Sequence, residues 1–129
     1  TWWADVFPLL YLPAYCTFRM TDIWRSFVAQ RIAWENNWSL LFHEPNGAQA
    51  RNQHDLMRDF ADEIPGYLRN AEICEALSRL QLRAGIEHLS DNLGICYEEL
   101  VRMSVVDVKE LELLGAWIDD VKANRSENS

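Results

Sequence analysis

Apolar residues recur at Ile86, Leu89, Leu93, Cys96 or Tyr97, Leu100 and Val101 of a 129-residue chain. Steps of three and four residues, held over four turns, follow one face of an α-helix and exclude an alternating strand. The same spacing returns at Ile23, Trp24, Phe27, Val28, Ile32 and Trp34, after Thr21 as N-cap and Asp22 in the first turn, and ends near Asn36 and Asn37. Leu56, Met57, Phe60 and Ile64 give a third face, which Pro65-Gly66 would stop. Asn52 and Asp55 have the spacing of a capping box before it. Asn70 would cap a fourth run through Ile73, Cys74, Leu77 and Leu80. Asp107 and Glu110 form a second capping box ahead of Leu111, Leu114, Trp117, Ile118 and Val121.

Two short apolar stretches break this pattern. Phe7 to Leu12 reads as a strand or buried extended segment, with Pro8 at its beginning or on an edge. Trp38 to Phe42 reads as a strand inside a sheet. The expected chain is therefore mainly α, about five helices with one or two short strands in the front half. A composition shift near Pro65 separates a mixed α/β front half from an all-helical back half.

The chain suits one domain, and 49% apolar residues suffice for a core. A net charge of −8 argues against nucleic acid as the main partner, since phosphate backbones need a basic footprint. Three cysteines at wide spacing, with no C-x-x-C pair, read as free thiols rather than a zinc site. No apolar run is long enough to span a bilayer. The chain opens inside apolar material without a Met, which reads as a fragment cut at its amino end.

The unusual polar residues sit in the front half. The helix macrodipole favours a negative charge at Asp22, which suits a carboxylate that accepts a hydrogen bond from a hydroxyl. The plainer reading is an ordinary first-turn Asp. His43 follows the second expected strand, where open α/β sheets bind ligands, although a loop His bonded to backbone explains it as well. Arg51, Asn52, His54 and Asp55 cluster at a helix start. Arg51 offers a planar donor fork for a phosphate. His54 and Asp55 point apart on a helix, so His54 would complete a metal site only with ligands from elsewhere. G-x-G-x-x-G, G-K-[ST], G-x-S-x-G, H-E-x-x-H and D-x-D are all absent.

The stretch "RMTDIWRSFVAQRIAW", Arg19 to Trp34, followed by "ARNQHD", resembles the STELLO family of glycosyltransferases over about Phe18 to Tyr67. The resemblance implies a GT-A-like α/β parent fold, a nucleotide-sugar donor and a divalent metal, Mn²⁺ or Mg²⁺, in the full-length protein. It assigns Asp22 to the acceptor hydroxyl and His54 to the metal. Arg25 or Arg51 would steady the donor phosphates, and Trp24, Trp34 or Trp38 would offer a face to a sugar ring. With no D-x-D half, residues 1–66 would be the acceptor-side part of such a domain and 67–129 a helical extension packed on it. A metal site formed by this chain alone is not expected. The acceptor and donor sugar stay open, as does the compartment: cytoplasm or, with an amino-terminal anchor, Golgi. The second reading is a helical interaction module without chemistry, since plant members are associated with cellulose-synthase assembly.

Overall fold

A computed structural model describes residues 2–42, 44–45, 47–48, 50 and 55–126. Among them are four α-helices: α1 (Thr21–Glu35), α2 (Leu56–Ser78), α3 (Leu89–Arg102) and α4 (Glu110–Ser126). Short 3₁₀ segments cover Ala4–Leu10, Phe18–Met20 and Ile86–His88. α1 packs on α2 and α3, and α3 packs on α2 and α4. The Ala4–Leu10 segment lies against α1, α3 and α4. Trp24, Val28 and Ile32 from α1 meet Ile73 and Leu77 from α2, and Leu89, Leu93, Cys96, Tyr97 and Leu100 from α3, in one core.

No strand occurs among the described residues. Phe7 to Leu12 falls largely in the 3₁₀ segment, whose three-residue period buries Val6 and Leu9 together. Trp38 to Phe42 has no regular structure, and Leu41 and Phe42 are 86% and 90% exposed. Continuous apolarity is a signal for burial, but a strand also needs a partner, and none is described here.

Pro65-Gly66 does not stop a helix. α2 runs through both residues to Ser78, so the helices expected on either side of Pro65-Gly66 are one. Pro65 deletes the bond its N–H would give to Ala61, which normally kinks or breaks a helix. Gly66 shows what the site is for: a Cβ there would sit 2.5 Å from the Sδ of Met20. The glycine lets α2 cross the Phe18–Met20 segment at close range. Asn70 is consequently no cap; inside α2 its Oδ1 accepts the indole N–H of Trp24 at 2.9 Å.

The ends of the helices are satisfied in other ways. Asp55 caps α2, accepting from the N–H groups of Met57 and Arg58 at 3.1 Å each. Asn52, its expected capping partner, lies outside the described residues. The 3₁₀ turn Phe18–Met20 runs straight into α1, and Thr21 donates its hydroxyl back to Phe18 O instead of capping forward. α1 ends where expected: Asn37 takes φ 56°, Trp38 N–H bonds Ala33 O at 2.9 Å and Asn37 N–H bonds Trp34 O at 3.0 Å, a Schellman motif. Ser104 closes α3 in the same way. Arg31 reaches from α1 to the end of α2 and the turn beyond it, donating to Leu77 O at 3.1 Å and Leu80 O at 2.9 Å. A cation placed there complements the negative end of the α2 dipole.

Candidate functional site

The first two turns of α1 carry the polar groups that the core does not use. Asp22 is exposed in the first turn, and among the described residues no side chain pairs with its carboxylate. Its backbone carbonyl accepts the hydroxyl of Ser26 at 2.6 Å. Arg25 follows one turn later, so the two side chains neighbour each other on the helix surface. The Arg25 Nε is shielded from solvent and has no hydrogen-bond partner among the described residues. Its guanidinium carbon lies 5.6 Å from the ring centre of Trp2, a cation–π distance. A buried donor without an acceptor is costly.

Trp24, between the two, has no open face. It is 3% exposed, and its indole is anchored to Asn70. The indoles that do face outward are Trp2 (37% exposed), Trp3 (50%) and Trp34 (59%), with Trp3 edge-on to the half-buried Trp38 at 5.4 Å. Trp2 and Trp3 escaped sequence reasoning because adjacent tryptophans at a chain start carry no periodicity. Position relative to Arg25 is visible only in three dimensions. His43, Arg51 and His54 lie outside the described residues. Among the described residues no group of three or more His, Cys, Asp or Glu side chains is arranged to hold a metal ion.

A second polar cluster was missed entirely. Glu110 was expected to close a capping box with Asp107. Asp107 does cap, accepting from Lys109 N–H at 2.9 Å. Glu110 instead turns inward, 0% exposed, and its carboxylate accepts from Ala14 N–H at 3.0 and 3.1 Å, Tyr15 N–H at 2.7 Å and the Tyr11 hydroxyl. Three donors into one carboxylate outweigh the single bond a capping box would supply. Burial, then the hydrogen bond to Glu110 and its negative charge, push the Tyr11 phenol far above its usual range. Burial first, with the charge of Glu110, raises the Cys16 thiol to about 11. The Tyr97 ring stands edge-on to Tyr11 at 5.2 Å, and its buried hydroxyl has no partner among the described residues. The cluster ties Tyr11, Ala14 and Tyr15 to the start of α4. It is a structural clamp, because its carboxylate is already saturated by donors and has no access to solvent.

The first turns of α1 thus carry an exposed carboxylate and a shielded guanidinium nitrogen that have no partner among the described residues, with the Trp2 ring beside Arg25. The family model of STELLO glycosyltransferases matches residues 19–128, from just before α1 to the end of α4. The chain belongs to the STELLO glycosyltransferase family. No curated protein and no solved structure matches it.

Proposed function

We propose that the chain is the acceptor-side part of a nucleotide-sugar-dependent glycosyltransferase with a GT-A-like parent fold. Residues 1–66 would contribute the acceptor surface, and 67–129 would form a helical extension behind it. The observation that supports the reading is the pairing of the family match with the polar groups of α1: among the described residues Asp22 has no counter-ion and the Arg25 Nε has no acceptor.

In this reading Asp22 accepts the hydrogen bond of the acceptor hydroxyl. In an inverting transfer it takes the proton as the oxygen attacks the anomeric carbon and the bond to the nucleoside diphosphate breaks. Arg25 or Arg51 would steady the negative charge that gathers on the departing diphosphate. Trp2 holds the Arg25 guanidinium in place and offers its free face to a sugar ring. His43 would line the same surface. The divalent ion that the family implies, Mn²⁺ or Mg²⁺, would draw on His54 and on ligands beyond the described residues. The described residues form no site for it, so no step here runs through it.

The test is calorimetry on the complete polypeptide with a panel of nucleoside-diphosphate sugars. At least one should bind, and Arg25→Gln should weaken it about tenfold or more while leaving the thermal melt unchanged. If none binds, the alternative takes over: a helical interaction module, which the exposed apolar face of α2 favours.

A further inference from the structure

α2 carries two apolar stripes on opposite sides. Gly66, Ile73 and Leu77 face the core. Met57, Phe60, Ile64, Tyr67, Ala71 and Cys74 recur in steps of 3, 4, 3, 4 and 3 along the other side. That is the a/d seam of a coiled coil, and all six residues are exposed, Met57 at 74%, Phe60 at 54% and Tyr67 at 72%. Leu56 and Leu68 widen the seam at 77% and 70% exposure. None of the helix's charges before Glu75 falls on it: Arg58, Asp59, Asp62, Glu63, Arg69 and Glu72 occupy the other heptad positions. The Tyr67 hydroxyl turns aside to Glu63 at 3.2 Å, leaving the ring for contact.

We propose that this seam binds α2 of a second copy of the chain, antiparallel, about a two-fold axis between Pro65 and Gly66. The seam is self-complementary in size. Its amino-terminal half is large (Met57, Phe60) and its carboxyl-terminal half is small (Ala71, Cys74). An antiparallel partner places Phe60 over Ala71 and Met57 over Cys74, while Ile64 meets Tyr67 on both sides of the axis. Large facing small is the arrangement that fills such a layer without voids. A parallel partner would stack Phe60 on Phe60 and leave a gap at Ala71. The exposed side chains from Leu56 to Leu68 present on the order of 800 Å², what each partner gives to a standard-size interface. That exceeds the apolar patch an ordinary monomer shows to water. The inference is independent of the catalytic reading, because Asp22 and Arg25 lie on α1.

The test is sedimentation velocity of the chain over a range of concentrations, beside cysteine crosslinking. The wild type should shift from monomer to dimer as concentration rises. Phe60→Glu should weaken the dimer roughly thirtyfold or more with an unchanged circular dichroism melt, since the residue supports no core. Met57→Cys should give a covalent dimer through the native Cys74, lost when Cys74→Ser is added. A wild type that stays monomeric at all concentrations overturns the proposal, including one that instead co-sediments with anionic phospholipid vesicles. A Phe60→Glu variant that dimerises as well as the wild type overturns the seam. A wild-type dimer crosslinked through Cys74 to Cys74, or one in which M57C yields no covalent product, overturns the antiparallel register.

Discussion

Glu110 and Tyr11, 99 residues apart, meet in the interior with the phenol donating to the carboxylate. The same carboxylate holds the N–H groups of Ala14 and Tyr15, so α4 fastens a segment that has no regular structure of its own beyond one 3₁₀ stretch. Glu110→Ala leaves two backbone donors without an acceptor and the buried phenol with only the long contact to the backbone carbonyl of residue 110, at 3.4 Å. The expected cost is about 3–5 kcal/mol in urea unfolding, most of it from stranded donors. Glu110→Gln retains one carbonyl oxygen and should cost less. Equal stability of the alanine variant and the wild type would mean that the clamp does not hold the amino-terminal segment.

The contact between Gly66 and Met20 reverses the usual helix rule. In an open helix Gly→Ala gains roughly 1 kcal/mol. Here the added methyl meets the Sδ of a methionine that is 2% exposed, and displacing it overpacks the core. Gly66→Ala should lose that gain and lower stability by up to about 2 kcal/mol. Shortening the neighbour with Met20→Val should recover part of that loss in a double-mutant cycle. A rise in Tm for Gly66→Ala alone would show that α2 does not cross the Phe18–Met20 segment this closely.

Alkaline pH should destabilise the chain from the point at which ordinary thiols begin to titrate. Burial raises the Cys96 thiol from 9.0 to about 12 and the Cys16 thiol from 9.0 to about 11. Tyr11 and Tyr97 are pushed up as well, both chiefly by burial. A folded-state pKa raised above the unfolded value gives stability that is complete below the unfolded pKa. Above about pH 9 the unfolded thiols release protons that the folded ones keep, so stability falls as pH climbs through 9 to 12. Melts from pH 7 to 11 should show a flat Tm and then a decline. A Tm that stays constant to pH 11 contradicts the burial of these groups.

The helical phase of the chain was readable from spacing, and the core bears it out at Trp24, Val28, Ile32, Leu93 and Leu100. Spacing reports that a side is apolar but not what covers it. Leu56, Met57 and Phe60 have the pattern of a core face and lie in the open, while Ile73 and Leu77 on the same helix are buried. Pro-Gly and Asp-x-x-Glu are local signals that tertiary contacts overrode, at Met20 for one and at Tyr11 for the other. At the candidate site, Asp22 and Arg25 were legible because they lie within an unusual stretch of sequence. Trp2 was not, since only folding brings it over Arg25.

The most direct measurement of the functional account is turnover by Asp22→Asn in the complete polypeptide, beside donor binding by calorimetry. The substitution keeps the side chain's shape at an exposed first-turn position and removes only its charge, so the fold should be unchanged. Donor binding should match the wild type, while transfer to the acceptor falls about 10²–10⁴-fold, the worth of general-base assistance. Transfer at the wild-type rate with donor binding intact would contradict the account and return Asp22 to the role of an ordinary helix-start residue.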